Sequence, residues 1–121
     1  MDIDERLRSV LLPLPCPVTQ EPGGGSHDTY VTFNVVDGEP TGYASNRPSR
    51  TSILLQVHIF TKALDGTEYR LIQQSNKLLQ EAGFRVRRWR FVETEKDTGK
   101  RHWAATCEWI EKIAPDRTTG A

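Results

Sequence analysis

The chain has 121 residues, with 16 Lys plus Arg balanced by 16 Asp plus Glu and two cysteines. That length supports one hydrophobic core, and the neutral balance leaves no whole-chain field to draw it toward nucleic acid or membrane. No apolar run approaches the roughly 20 residues that cross a bilayer, and "MDIDERLRSV" is acidic where a secretory signal is basic, so a cytoplasmic chain is expected.

Ile3, Leu7, Val10 and Leu11 share one helical face, opened by Asp2 or Asp4 as N-cap and stopped by Pro13, which predicts a short amphipathic helix over residues 2–12. "PLPCPVTQEPGGGSHD" follows, with four prolines and three consecutive glycines, and reads as a flexible connector over 13–28. From Thr29 to Val36, Val31, Phe33 and Val35 alternate with Tyr30, Thr32 and Asn34, as in a strand buried on one face. The stretch from Asp37 to Arg50 shows no such alternation. Pro40 and Pro48 lack an amide proton for a ladder, so a long unpaired loop is expected there, and loops of that length in a compact domain usually serve a function or are disordered.

Ile53, Leu55, Val57 and Ile59 alternate with Leu54, Gln56, His58 and Phe60, giving a longer, central strand with apolar character on both faces. "DGTEYRLIQQSNKLLQEAGF" predicts the long helix. Asp65 caps it with Glu68 three residues on, Leu71, Ile72, Ser75, Leu78, Leu79 and Ala82 form its stripe, and Gly83 ends it in the left-handed region. Phe84–Glu93 and Arg101–Ile113 make a final hairpin through the turn chemistry of Asp97-Thr98-Gly99. Apolar parity in the first of these strands slips from Phe84 and Val86 to Trp89 and Phe91, which places a bulge near Arg87 or Arg88. The expected fold is α+β: an antiparallel four-stranded sheet in the order α-β-β-α-β-β, with the long helix on one face. Residues 1–113 form a single domain, and 114–121 form a C-terminal tail.

Candidate chemistry is sparse. His27, His58 and His102 are scattered, without metal-ligand spacing, and no Ser or Cys sits in a nucleophile turn, so neither catalysis, metal nor cofactor is expected. His58 reads as a strand histidine facing a helix or a neighbouring chain. Cys16 and Cys107 read as two reduced thiols, with one disulfide as the alternative. "GGG" at 23–25 precedes a strand and not a helix, so it reads as slack rather than a phosphate cradle. "RVRRWR" at 85–90 interleaves arginine with an aromatic residue, the combination that grips phosphates and stacks bases. Alternate strand residues point to opposite faces, however, and acidic "ETEKD" follows. A protein interface is therefore favoured, with a solvated strand face and a small nucleic-acid-binding module built on Arg85, Arg87, Arg88, Arg90 and Trp89 as the alternatives.

Taken together, "YVTFNVV", a loop containing Tyr43, "ILLQVHIFTK", the helix closing on "LLQEAGFRV", and "ETEKDTGKRHW" resemble the tail-completion proteins of long-tailed bacteriophages, also called tail terminators or head-to-tail joining proteins. The resemblance runs from about Tyr30 to Ile113 and rests on the order of loose motifs, with Gln56, Ala82-Gly83-Phe84 and Asp97-Thr98-Gly99 ahead of His102 as fixed points. It implies a subunit of a sixfold ring, a hexamer, that caps the finished tail tube and docks it to the head connector protein. Its partners would be other copies of itself, the tail tube protein and that connector. It would reside at the head-tail junction of the virion, after assembly in the host cytoplasm, and have no catalytic residues. The Asp37–Arg50 loop would then be an assembly device, with Tyr43, Arg47 and Arg50 as contact residues and Arg87, Arg88 and Trp89 as a second candidate surface.

Overall fold

The computed structural model describes residues 2–20, 27–43, 46–62 and 64–112; the glycines at 23–25 and the C-terminal tail lie outside them. Helix α1 (Ile3–Leu11) begins at Asp2, whose Oδ1 accepts from the Asp4 amide at 2.9 Å, and it buries Leu7 and Leu11 completely. Strand β1 (Val18–Gln20) follows, then β2 (Thr29–Thr41), β3 (Arg50–Thr61), α2 (Thr67–Glu81), β4 (Arg85–Thr94) and β5 (Arg101–Lys112).

The sheet has five strands, in the order β1-β2-β3-β5-β4, and not the expected four. The extra strand lies in the proline-rich stretch read as a connector, where Val18–Gln20 pairs in parallel with Val31–Phe33 and the Val31 amide donates to the Pro17 carbonyl at 2.9 Å. Three residues are too few to show an alternation, and a parallel pair depends on its partner strand rather than on a local turn. β3 lies between β2 and β5, as its apolar character on both faces requires.

Both helices cover the face that carries the odd-numbered residues of β2, β3 and β5. Val31, Phe33, Leu55, Val57, Ile59 and Cys107 there meet Leu7, Leu11, Leu71 and Leu79 of the helices, all at most 1% exposed. Cys16 and Cys107 are free thiols, and burial pushes them up to about 11 and about 12. At ordinary pH they stay protonated and behave as small hydrophobes.

The long helix ends as expected and starts differently. Gly83 takes φ +96°, its amide donates to the Gln80 carbonyl and that of Phe84 to the Leu79 carbonyl, both at 3.0 Å, in a Schellman stop. At the start, Asp65 Oδ1 accepts from the Thr67 amide at 3.1 Å, but Gly66 occupies the N-cap position with φ +86°. Glu68 does not reach back to close a capping box. It is buried, and it accepts from Arg101 Nε at 2.9 Å and from Trp103 Nε1 at 2.5 Å, which ties the first turn of α2 to β5. The competition is physical: a charged donor and a half-buried indole N–H on β5 outbid a solvent-exposed amide for the carboxylate.

Candidate assembly surfaces

The stretch from Asp37 to Arg50 is not an unpaired loop. After a bulge at Val36, β2 resumes its ladder with β3, from Asp37↔Leu54 through Pro40↔Thr51 to Thr41↔Arg50. β3 in turn stays paired with β5 as far as Arg50↔Lys112, so the three strands extend together into an arm. Pro40 is tolerated because β1 reaches only as far as Phe33, so that among the described residues no strand pairs with the outer side of β2 at Pro40 and the proline interrupts no bond. The connection itself spans residues 42–49. Gly42 turns it with φ +67°, the Ser49 hydroxyl donates to the Gly42 carbonyl at 2.7 Å, and the Ser49 amide donates to the Thr41 carbonyl at 3.1 Å. Tyr43 at this tip is 64% exposed, and Arg47 and Arg50 are exposed beside it, with the Arg50 side chain lying against Gly42. Val35 and Val36, at the arm's base, leave 43% and 54% of their surfaces in solvent.

The opposite edge of the sheet is β4. Val86 pairs with Cys107 and Trp89 with Ala105, so Arg87 and Arg88 together face Thr106: the bulge stands where the parity slip put it. Its consequence departs from the alternation of a regular strand. Instead of distributing the arginines over two faces, the bulge gathers Arg87, Arg88 and Arg90 with Thr106 around one shallow depression of about 250 Å³. Trp89 departs from them. Its ring packs partly buried against the core and its Nε1 donates to Asn76 Oδ1 on α2 at 3.3 Å, so it braces β4 to the helix. Arg85 pairs with Glu108 at 3.7 Å, and Glu108 in turn accepts from the Ser52 hydroxyl. No ion pair engages Arg87, Arg88 or Arg90 among the described residues.

His58 does not face a helix. It lies on the helix-free face, with Nδ1 2.8 Å from His102 Nε2 and Nε2 2.9 Å from Asn34 Oδ1. The Tyr30, Phe60 and His102 rings stack next to it with centroids 4.7 and 4.2 Å apart, and the Lys100 ammonium lies over Tyr30. The bond between the two imidazoles needs a donor and an acceptor, so it holds only while at least one ring is neutral. Sequence separation hid this cluster; the register His58↔Ala104 and Phe60↔His102 creates it. Among the described residues no group of three or more His, Cys, Asp or Glu could hold a metal ion, and no helix is long and apolar enough to cross a membrane.

No protein-family model matches the chain, and no curated protein matches it in sequence. Among solved structures, its fold is similar to that of the gp17 protein of bacteriophage SPP1, with a TM-score of 0.55 at 13% identity over 93% of this chain and 88% of that one. What the two share at that identity is the fold: a mixed α+β domain also found in a bacteriophage protein.

Proposed function

We propose that this chain is a structural protein of a phage virion that caps the finished tail tube as an oligomeric ring and joins the tail to the head connector. The observation that carries this reading is the fold likeness to a bacteriophage protein over 93% of the chain, which agrees with the tail-completion resemblance in its motifs. The work is done by contacts and not by chemistry. An arm of exposed residues and an arginine-lined edge, both held by a stiff sheet, are what a subunit needs to touch neighbours on several sides. The exposed large apolar side chains are few and divided among α2, β2, β4, β5 and the connections, so the purified protein is expected to be largely monomeric at micromolar concentration and to assemble when concentrated or given a tail tube.

The test removes the arm's tip. Replacing residues 40–51 with Asn-Gly joins Glu39 to Ser52 through a two-residue turn that their register already allows. The purified variant should stay folded, while a phage carrying it accumulates filled heads and separate tails. Normal plaque formation by that phage would remove the arm from the joining step.

The gathering of Arg87, Arg88 and Arg90 supports a second reading, a nucleic-acid-binding surface. Titration with short DNA and RNA at rising salt separates the two, because about three phosphate contacts give a slope of roughly −2 to −3 in log affinity against log salt. The assembly reading expects only weak, non-specific binding.

A further inference from the structure

The two open edges of the sheet are chemically complementary, and we infer that the Val36–Asp37–Glu39 edge of the arm docks on the Arg88–Arg90–Phe91 edge of β4 in a second copy of this chain. The inference rests on the ring reading and specifies how the ring would close. Its basis is topological first. β2 is antiparallel to β3, β3 to β5 and β5 to β4, so β2 and β4 run in opposite directions, with β4 flanking the body of the sheet and ending at the base of the arm, where Arg85 stands level with Asp37. A second copy set beside the first in the same orientation, and displaced along the strands so that its β4 stands level with the arm, therefore brings that β4 antiparallel to the first copy's β2. Such a contact is head-to-tail, and a head-to-tail contact repeated around an axis generates a ring when the rotation closes.

Charge and apolar surface then match. Cross-strand partners share a face, so Asp37 and Glu39, opposite Leu54 and Ser52, lie on the helix-free face, as does Arg90 opposite Ala104. No salt bridge engages Asp37, Glu39, Arg88 or Arg90 among the described residues. Val36 on one edge and Phe91 on the other are exposed by 54% and 42%. An antiparallel approach that sets Val36 against Phe91 brings Asp37 beside Arg90 and Glu39 beside Arg88. The chain's charge of zero thus conceals a division between its edges, acidic on one and basic on the other.

Both edges are interrupted, by the bulge at Val36 and by those at Arg87/Arg88 and Val92, and Pro40 removes one more ladder position. These features oppose a long continuous ladder, so the contact depends mainly on side chains and is weak and salt-sensitive. This agrees with a subunit that stays apart until it meets a template.

The test is charge reversal read by sedimentation velocity at rising protein concentration and low salt. Wild type should self-associate. D37K/E39K and R88E/R90E, each checked for a native circular dichroism spectrum, should each weaken association about tenfold or more. An equimolar mixture of the two should recover it, because the lysine edge of one then meets the glutamate edge of the other while the two native edges meet as well. Recovery in the mixture also shows that both variants are folded. Wild-type association in either single variant, or no recovery in the mixture, overturns the edge contact and leaves the ring reading standing. A wild type that remains monomeric at every concentration and on added tail tubes overturns the ring reading, and the edge contact with it.

Discussion

Strands β2 and β3 pass through two environments. Between Thr29 and Asn34, opposite Gln56–Thr61, they carry the fully buried Val31, Phe33, Val57 and Ile59; between Asp37 and Thr41, opposite Arg50–Leu54, the same ladder continues with β2 exposed along nearly its whole length. The pairing is alike and the burial is not. Backbone hydrogen bonds exchanged against water contribute little net stability, about 0.5–1.5 kcal/mol each, whereas a buried phenylalanine or leucine contributes roughly 1.5–3 kcal/mol. The body of the sheet therefore holds the fold, and the arm's residues are little constrained by the core.

The largest expected effect tests that division directly. Phe33→Ala empties a site with no solvent exposure and should cost about 3–5 kcal/mol in urea unfolding, while Val36→Ala, three residues further along the same strand, should cost under about 0.5 kcal/mol. Equal costs would break the comparison, because they would make the arm part of the core.

Next in size is the body's polar anchor. Glu68→Ala removes the acceptor for both Arg101 and Trp103, stranding an indole N–H under α2, and should lower the melting temperature by on the order of 10 °C. Glu68→Gln should recover part of the loss, since its amide oxygen can still accept from Trp103. If Glu68→Ala melts with wild type, α2 is held by its apolar stripe alone.

A smaller change sharpens the description of the arm. Gly42→Ala forces a side chain into positive φ and against the Ser49 hydroxyl, at a local cost of about 1–2 kcal/mol. Because the tip can open without disturbing the body, amide hydrogen exchange should rise at Ser49 while the global melting temperature stays close to wild type. A cooperative loss of the whole fold would show that arm and body are one unit.

The smallest effect is at the exposed start of α2. The side-chain hydrogen bond from Thr67, with the Thr67 amide next, holds the Asp65 carboxyl below its ordinary value of 3.8. A carboxyl lowered in the folded state contributes stability that is complete above the unfolded value and disappears as pH falls through the folded one. The gap in melting temperature between wild type and Asp65→Asn should therefore be small at pH 7 and close below pH 3.8. A gap that persists in acid would assign the effect to something other than the charge.

What the sequence determined by itself were the features governed by neighbours a few residues apart. Asp2 and Pro13 bound α1, Gly83 stops α2, Asp97-Thr98-Gly99 turns the last hairpin with Gly99 at φ +73°, and the parity slip locates the bulge at Arg87 and Arg88. Each depends on a cap, a ring or a backbone angle that acts locally. The tertiary structure alone decided what depends on a distant partner. Val18–Gln20 becomes a strand because Val31–Phe33 lies beside it, and Pro40 sits in a strand because no other strand of the described residues pairs beyond it. Glu68 abandons its own helix for Arg101 and Trp103, and three arginines of one strand converge because Thr106 faces two of them at once. Strand pairing has no local signature: a segment's ladder groups are satisfied by whichever chain the fold brings alongside, and only the assembled sheet specifies which chain that is.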